Sequence, residues 1–336
     1  DASDTADTYN PGEHPNVSCS EIPSGQLCEV TGAITTDLTM KNVEGFTWLI
    51  AGPVFVGDDS DANAATLNIE AGVTVFADTT TDDTLLCVTR GSKLEAVGTA
   101  DAPVVFTPSA DGELVRGMWG GLIINGKAHL NKEGGVAEGE GNTGEYGGGA
   151  NPDNTDSSGT LKYVVVEYAG KLITTEDELN GIAFQAVGSG TTVDYVQVHM
   201  NQDDGMEFFG GTVNAKHIVL SGIGDDSIDW TSGYTGKIQY AIVHQYGDNA
   251  DRGIEADNDK NNNDIEPRSE PMISNLTIVG CGADCQEGVG SHGILLRRGT
   301  GLKLFNSIVS SAADACVDLL MWANCETWRN IAADAV

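Results

Sequence analysis

Along most of this chain apolar and polar residues alternate one by one in short runs, and small or polar residues break the runs. Five such runs are GTTVDYVQVHM, GTVNAKHIVLS, GKIQYAIVHQ, PMISNLTIVG and LKLFNSIVS. Alternation of period two marks a strand with one buried face. Between these runs a second phrase recurs: a polar residue, a small residue, then an apolar one. It reads Asn180-Gly181-Ile182, Asp204-Gly205-Met206, Asp226-Ser227-Ile228, Arg252-Gly253-Ile254 and His292-Gly293-Ile294. The small residues lie 24, 22, 26 and 40 positions apart, and the long last gap contains the polar insertion DNDKNNNDIEPRSEP. A repeat near 22 residues built of strands and turns, with no 3.6-residue period, predicts stacked coils. The chain is therefore expected to be all-β, a right-handed parallel β-helix with loop insertions.

The alternation also assigns faces. In GMEFF, Met206 and Phe208 point inward and Glu207 outward; in SIDW, Ile228 and Trp230 point inward and Asp229 outward; in GIEA, Ile254 and Ala256 point inward and Glu255 outward. In the preceding strands Val196 and Val198 match Ile218 and Leu220 as the inward set. Residues 1–45 read as an N-terminal segment and cap held by a local disulfide, and residues 46–336 as the β-helix. Two insertions interrupt it: an acidic, Gly-rich loop at 132–160, expected to be flexible, and a polar one at 257–270. Trp119 and Trp230 are expected in core or turn packing and His199, His217 and His244 on strand surfaces. Trp322 and Trp328 are expected to cover the C-terminal end of the solenoid, since bare end coils invite aggregation.

Composition narrows the environment. The 336 residues carry a formal charge of -33 from 50 acidic and 17 basic side chains, and 40% are hydrophobic. That apolar share supports a core and excludes a disordered chain. The charge excludes nucleic acid and anionic membrane surfaces as partners and favours cations. It also suits a salt-rich medium that screens self-repulsion. No apolar run is long enough to span a bilayer, so direct membrane insertion is not expected. The opening DASDTADTYNPGEHP reads as a mature N-terminus after signal cleavage, and the closing NIAADAV lacks a terminal cap, so the native chain is expected to continue. Of seven cysteines, three pairs are close in sequence: Cys19 with Cys28, Cys281 with Cys285, and Cys316 with Cys325. Local disulfides point to an oxidising, extracellular compartment. Cys87, inside TLLCVT, is expected as a buried thiol. A zinc site from Cys281, Cys285 and His292 is the alternative, and it lacks a fourth ligand.

Acidic residues recur at matching places in successive coils. One row is Glu207, Asp229 and Glu255; a second is Asp203-Asp204, then Asp225-Asp226, with Asp251 in the next coil. Neighbouring coils stack about 4.8 Å apart. At that distance two carboxylates repel by about 0.9 kcal/mol in water and about 3.5 kcal/mol at an effective dielectric of 20. Few lysines are near, so a hard divalent cation with oxygen ligands is expected, and calcium accepts six to eight of them in flexible geometry. Asp257 and Asp259, in the oxygen-rich run Asp257-Asn258-Asp259, join the candidate ligands. That run lacks the Gly and Glu of an EF-hand loop.

The runs IEAGVTVFAD, RGSKLEAVGTADAPVVFT, GMWGGLIINGKA, NGIAF and DDGMEFFGGTVNAKHIVLSGIGDDSIDW resemble a group of large secreted bacterial proteins. These carry a right-handed β-helix of the pectate-lyase-like kind, and some belong to cell-surface or S-layer-like coats of marine bacteria. The resemblance covers roughly residues 65 to 320. It implies a structural protein at the surface of a Gram-negative bacterium, which associates with itself or with other surface components. A competing resemblance is enzymatic. NQDDG, GDDSID and GSHGI are similar to the motifs of polygalacturonase-type glycoside hydrolases, which would make Asp204, Asp225 and Asp226 the acid and base carboxylates and His292 a supporting residue. Against it stand the 66-position spacing from Asp226 to His292, the missing Arg-x-Lys motif, and the repulsion a uronic acid polymer would meet. The same acidic turns could serve a glycan-binding adhesin. Arg297-Arg298 is expected to be a salt-bridging surface pair.

Overall fold

The computed structural model describes residues 9–174, 177–286 and 288–320. Within them 23 strands form one hydrogen-bonded sheet that winds coil after coil into a solenoid, with no α-helix among the described residues. Apart from the first hairpin, every pairing in that sheet is parallel. This is a parallel β-helix, right-handed as parallel crossovers in one sheet almost always are. One side stacks Leu122–Asn125, Ile182–Gln185, Met206–Phe209, Ile228–Thr231, Arg252–Ala256 and His292–Leu296. Its register runs Ile182, Met206, Ile228, Ile254, Ile294, the same residues that the recurring phrase aligns. The phrase keeps a small residue at its centre because coils approach closely there. A Cβ on Gly205 would lie 2.6 Å from the Ser227 carbonyl oxygen.

The longer strands Gly159–Glu167, Thr192–His199, Asn214–Ser221 and Lys237–His244 stack in the same way. Each bends at one residue in the left-handed region: Tyr163, Tyr195, His217 and Tyr240, with φ of 51°, 56°, 52° and 60°. One strand thereby serves two sides of the coil; the two halves of Gly159–Glu167 pair with Lys93–Val97 and Val104–Ser109 separately. Aromatic residues seldom adopt positive φ. Here the corner places their rings in one stack, with centroids 4.5, 4.3 and 5.0 Å apart, and that contact offsets the strain. His217 sits in this stack with its Nδ1 2.7 Å from Asp194. A second corner uses Tyr168, Met200 and Gly222, and a third Ala186, Gly210 and Ser232, all at positive φ.

Burial follows the alternation. Met206, Phe208, Ile228, Trp230, Ile254, Ala256, Val196, Val198, Ile218 and Leu220 all lie in the core, as does Trp119. Phe208 stacks between Phe184 at 5.1 Å and Tyr234 at 4.5 Å, and the Trp230 indole donates to Thr300 Oγ1 at 2.8 Å.

Two disulfides form among the described residues. Cys19–Cys28 ties Val17–Ile22 to Gly25–Ile34, and Gly25–Ile34 already pairs in parallel with Phe46–Val56. Cys281–Cys285 closes a turn and thereby removes both sulfurs as zinc ligands. Cys87 is buried, and burial pushes its thiol pKa up. Cys316 is exposed; its expected partner Cys325, like Trp322 and Trp328, lies outside the described residues. No helix among the described residues is long and apolar enough to cross a membrane.

The acidic insertion is folded, contrary to the expectation of a flexible loop. Ala137–Glu138 and Glu145–Tyr146 form a small antiparallel hairpin over the outer face of the sheet. The Thr143 carbonyl accepts from Asn125 Nδ2 at 2.9 Å and from the Cys87 thiol at 3.4 Å. Tyr146 is buried against Leu130, Ala186 and Phe209. Glycines let the chain lie flat there, and the apolar Leu85, Cys87, Ile123, Leu179 and Ala183 give it something to cover. One face of the solenoid is therefore apolar on both sides, which binary patterning cannot reveal.

Candidate metal centre

Past that covered patch the outer face becomes acidic. The row Ala183, Glu207, Asp229, Glu255, Leu295 runs in register along it. Three residues earlier on each strand lies the row Asn180, Asp204, Asp226, Arg252, His292, the first residues of the recurring phrase. Eight carboxylates from these elements form four overlapping trios, each with three oxygens mutually within 4.8 Å. The trios are Glu178–Asp203–Asp225, Asp204–Glu207–Asp229, Asp204–Asp225–Asp226 and Asp226–Asp229–Glu255. Asp203, Asp204, Glu207, Asp225, Asp226, Asp229 and Glu255 are thus brought together. Glu178, from the hairpin at Leu172–Thr174 and Asp177–Glu178, was not foreseen.

Asp257 and Asp259 join none of these trios, although Asp257 lies near enough to Asp229 to raise its carboxyl pKa. Asp257 is gripped by Arg297 Nε at 2.8 Å and Arg298 at 2.5 Å. Asp259 accepts the backbone N–H groups of Asn261 and Asn262 and pairs with Lys132 at 2.7 Å. His292 faces Ser291 and Asp318. On the row it is two coils beyond Asp226, with Arg252 between, so it does not join the carboxylates.

The column is asymmetric in charge. At its C-terminal end Arg252 pairs with Asp226 at 3.8 Å, with Glu255 at 2.9 Å and with Asp251, while Arg297 bridges Glu255 and Asp257. The arginine pair expected on the surface instead neutralises buried acids, with Glu255 6% and Asp257 5% exposed. At the other end, Asp203, Asp204, Glu207, Asp225 and Asp229 form no ion pair among the described residues. Some of their hydrogen-bonding capacity is spent on the fold. Asp204 Oδ1 accepts the Asp226 N–H at 3.0 Å, and Asp226 Oδ1 accepts the Arg252 N–H at 2.7 Å, so each carboxylate stitches its coil to the next. Asn180, 1% exposed, donates through Nδ2 to Glu207 Oε2 at 2.8 Å and to Glu140 Oε2 of the acidic insertion at 3.4 Å. Its Oδ1 is buried without a hydrogen-bond partner.

Burial and mutual repulsion make these acids reluctant to ionise. Asp203 is pushed up to about 8 by burial and by the nearby Asp225, Glu178 and Glu140. Burial, then neighbouring carboxylates, also raises Asp204, Glu207, Asp226 and Asp229 well above the usual range. A carboxyl whose folded pKa stands above its unfolded value of about 4 binds extra protons only in the folded state between those two values. It stabilises the fold at the lower pH and loses that contribution as pH rises through the folded value. In chelator, the melting midpoint is therefore expected to fall between about pH 5.5 and pH 8. A midpoint that stays level or rises over that interval would contradict the buried arrangement. The donor set fits a hard cation: clustered carboxylates plus an amide oxygen, with no thiol or imidazole in any trio. Between the hairpin and the coil turns, Glu178, Asp203, Asp225 and Asp251 line an open cavity of about 460 Å³ that leads to the column.

Stacked parallel coils around an apolar core define the β-helix class. The model of the pectate-lyase-like β-helix domain matches residues 32–324, and the chain belongs to that family. No curated protein and no solved structure matches it.

Proposed function

We propose that this protein is a non-catalytic, calcium-stabilised structural β-helix of the extracellular surface of a Gram-negative bacterium, a subunit of an S-layer-like coat. The observation that carries the reading is the trio Asp204–Glu207–Asp229, packed together without a counter-cation at one end of a column whose other end has arginines. Two local disulfides and the strongly acidic surface support an extracellular, ion-rich setting. Electron microscopy of the purified protein with calcium, then with excess chelator, tests it. Sheets or filaments that dissolve on chelation are expected, and single monodisperse rods in both conditions would refute the coat.

The open cavity lined by four carboxylates favours a second reading, a polysaccharide-active enzyme of the glycoside hydrolase type or a glycan-binding adhesin. Two features weigh against the hydrolase. Asp204 and Asp226 are engaged by the backbone of the next coil. Asp204, Asp225 and Asp226 also stand closer than the roughly 6.5–9.5 Å used in inverting hydrolysis. Release of reducing ends from an uncharged or acidic polysaccharide, abolished in Asp204→Asn, would favour the enzyme.

A further inference from the structure

The residues around Asn180 come from separate parts of the chain. Glu207 and Asp229 are on the sheet, Asp204 is in a coil turn, and Glu140 belongs to the insertion that covers the neighbouring coils. The short turn Glu140–Asn142 lies against the strand that carries Glu178. Glu207, itself grouped with Asp204 and Asp229, and Glu140 meet at one carboxamide. Its nitrogen lies between Glu207 and Glu140, and its oxygen is buried without a partner. A buried amide oxygen without a donor is unfavourable by about 1–3 kcal/mol. A hard cation between the two carboxylates would change that, because half a turn about the last side-chain torsion presents the oxygen to the ion. Amide carbonyls beside carboxylates are ordinary calcium ligands.

Resting on the reading of the column as a calcium site, we propose that the ion held by Asp204, Glu207 and Asp229 also takes Asn180 Oδ1 and Glu140. It thereby clasps the 132–160 insertion onto the sheet. The insertion has its own attachments further along, where Thr143 meets Asn125 and Glu145 meets Arg90 at 2.7 Å. The ion adds a fastening at the Glu140 turn, directly over the acidic column. Calcium then governs whether the outer face beside the cavity is closed by the insertion or opened, in addition to its contribution to overall stability.

Hydrogen exchange of the whole chain tests the clasp. In wild-type protein, calcium is expected to slow exchange of the amides of residues 139–144 by about tenfold or more relative to chelator, as a local opening is suppressed. In Glu140→Gln the melting midpoint should still rise with calcium, through the remaining ligands, while the added protection of 139–144 is lost. Glu138→Gln, a change on an exposed side chain of the same hairpin, should behave as wild type. If calcium raises the midpoint but leaves exchange of 139–144 unchanged in the wild type, the clasp is wrong and the calcium reading stands. If calcium changes neither the midpoint nor the heat on titration, both are wrong.

Discussion

Calcium at a hundredfold excess over its dissociation constant is expected to raise the melting midpoint by about 5 °C, and chelator to return it. An ion that binds only the folded state stabilises it by about 2.7 kcal/mol under those conditions, and in a chain of this length each kcal/mol is worth about 2 °C. The effect has a specific origin. Asp204, Glu207 and Asp229 bring oxygens within 4.8 Å of one another, Asp204 is 7% exposed, and no lysine or arginine contacts the three directly. In chelator the fold keeps these groups apart from bulk water only by binding protons, which is unfavourable near neutral pH. A divalent ion replaces the protons and removes the repulsion. Magnesium should do this less well, because it needs short, near-octahedral contacts, whereas these ligands come from three stacked coils and a loop. The comparison belongs at moderate salt, where exposed charges elsewhere on the molecule are screened and buried ones are not. A midpoint indifferent to chelator would sink the site.

The repeat was legible because coil stacking imposes the same small-then-apolar phrase wherever coils touch, so Ile182, Met206, Ile228, Ile254 and Ile294 could be aligned by eye. Facing was legible for the same reason: a strand residue either enters the core or does not. What lies over an outward residue was not. Glu207 reads as solvent-facing, yet Asn180 reaches it from the neighbouring coil, and Glu140, in an insertion that looks like a loose loop, reaches Asn180. Glycine-rich composition conceals that the insertion carries Tyr146 and Thr143 to waiting partners. The arginine end was half visible. The first residue of the phrase is Asn180, Asp204, Asp226, Arg252, then His292, so Arg252 had to occupy the rung beside Asp226. Reading only the acids in that row overstated the charge. Asp257 and Asp259 stand out in the sequence by oxygen content and EF-hand-like alternation, and neither distinguishes a ligand from the partner of a guanidinium or the organiser of a turn. The aromatic corners were invisible because tyrosine disfavours the left-handed region in isolation, and the stack across coils is not written in any one strand.

Arg297→Gln is expected to lower stability by about 3–5 kcal/mol, which at about 2 °C per kcal/mol is a fall of roughly 6–10 °C in the midpoint. Its guanidinium joins Glu255 and Asp257, both almost wholly buried, and glutamine leaves the pair facing each other with less compensation. Arg298 still holds Asp257 and only Arg252 is left on Glu255, so the lost compensation falls chiefly on Glu255. Adding Glu255→Gln in the same chain removes that charge and should restore most of the loss. If the double variant is no more stable than Arg297→Gln alone, the damage lies in packing and not in charge. The single variant also bears on the cation. Glu255 forms a trio with Asp226 and Asp229, a ligand set like the one proposed at the other end, and the arginines occupy it in the wild type. Removing Arg297 should make this end responsive to calcium too, so the calcium-induced rise in midpoint should be larger in Arg297→Gln than in the wild type. Guanidinium and ion are then interchangeable ways of neutralising one carboxylate column. An equal or smaller rise would mean that the arginine end of the column does not bind the ion.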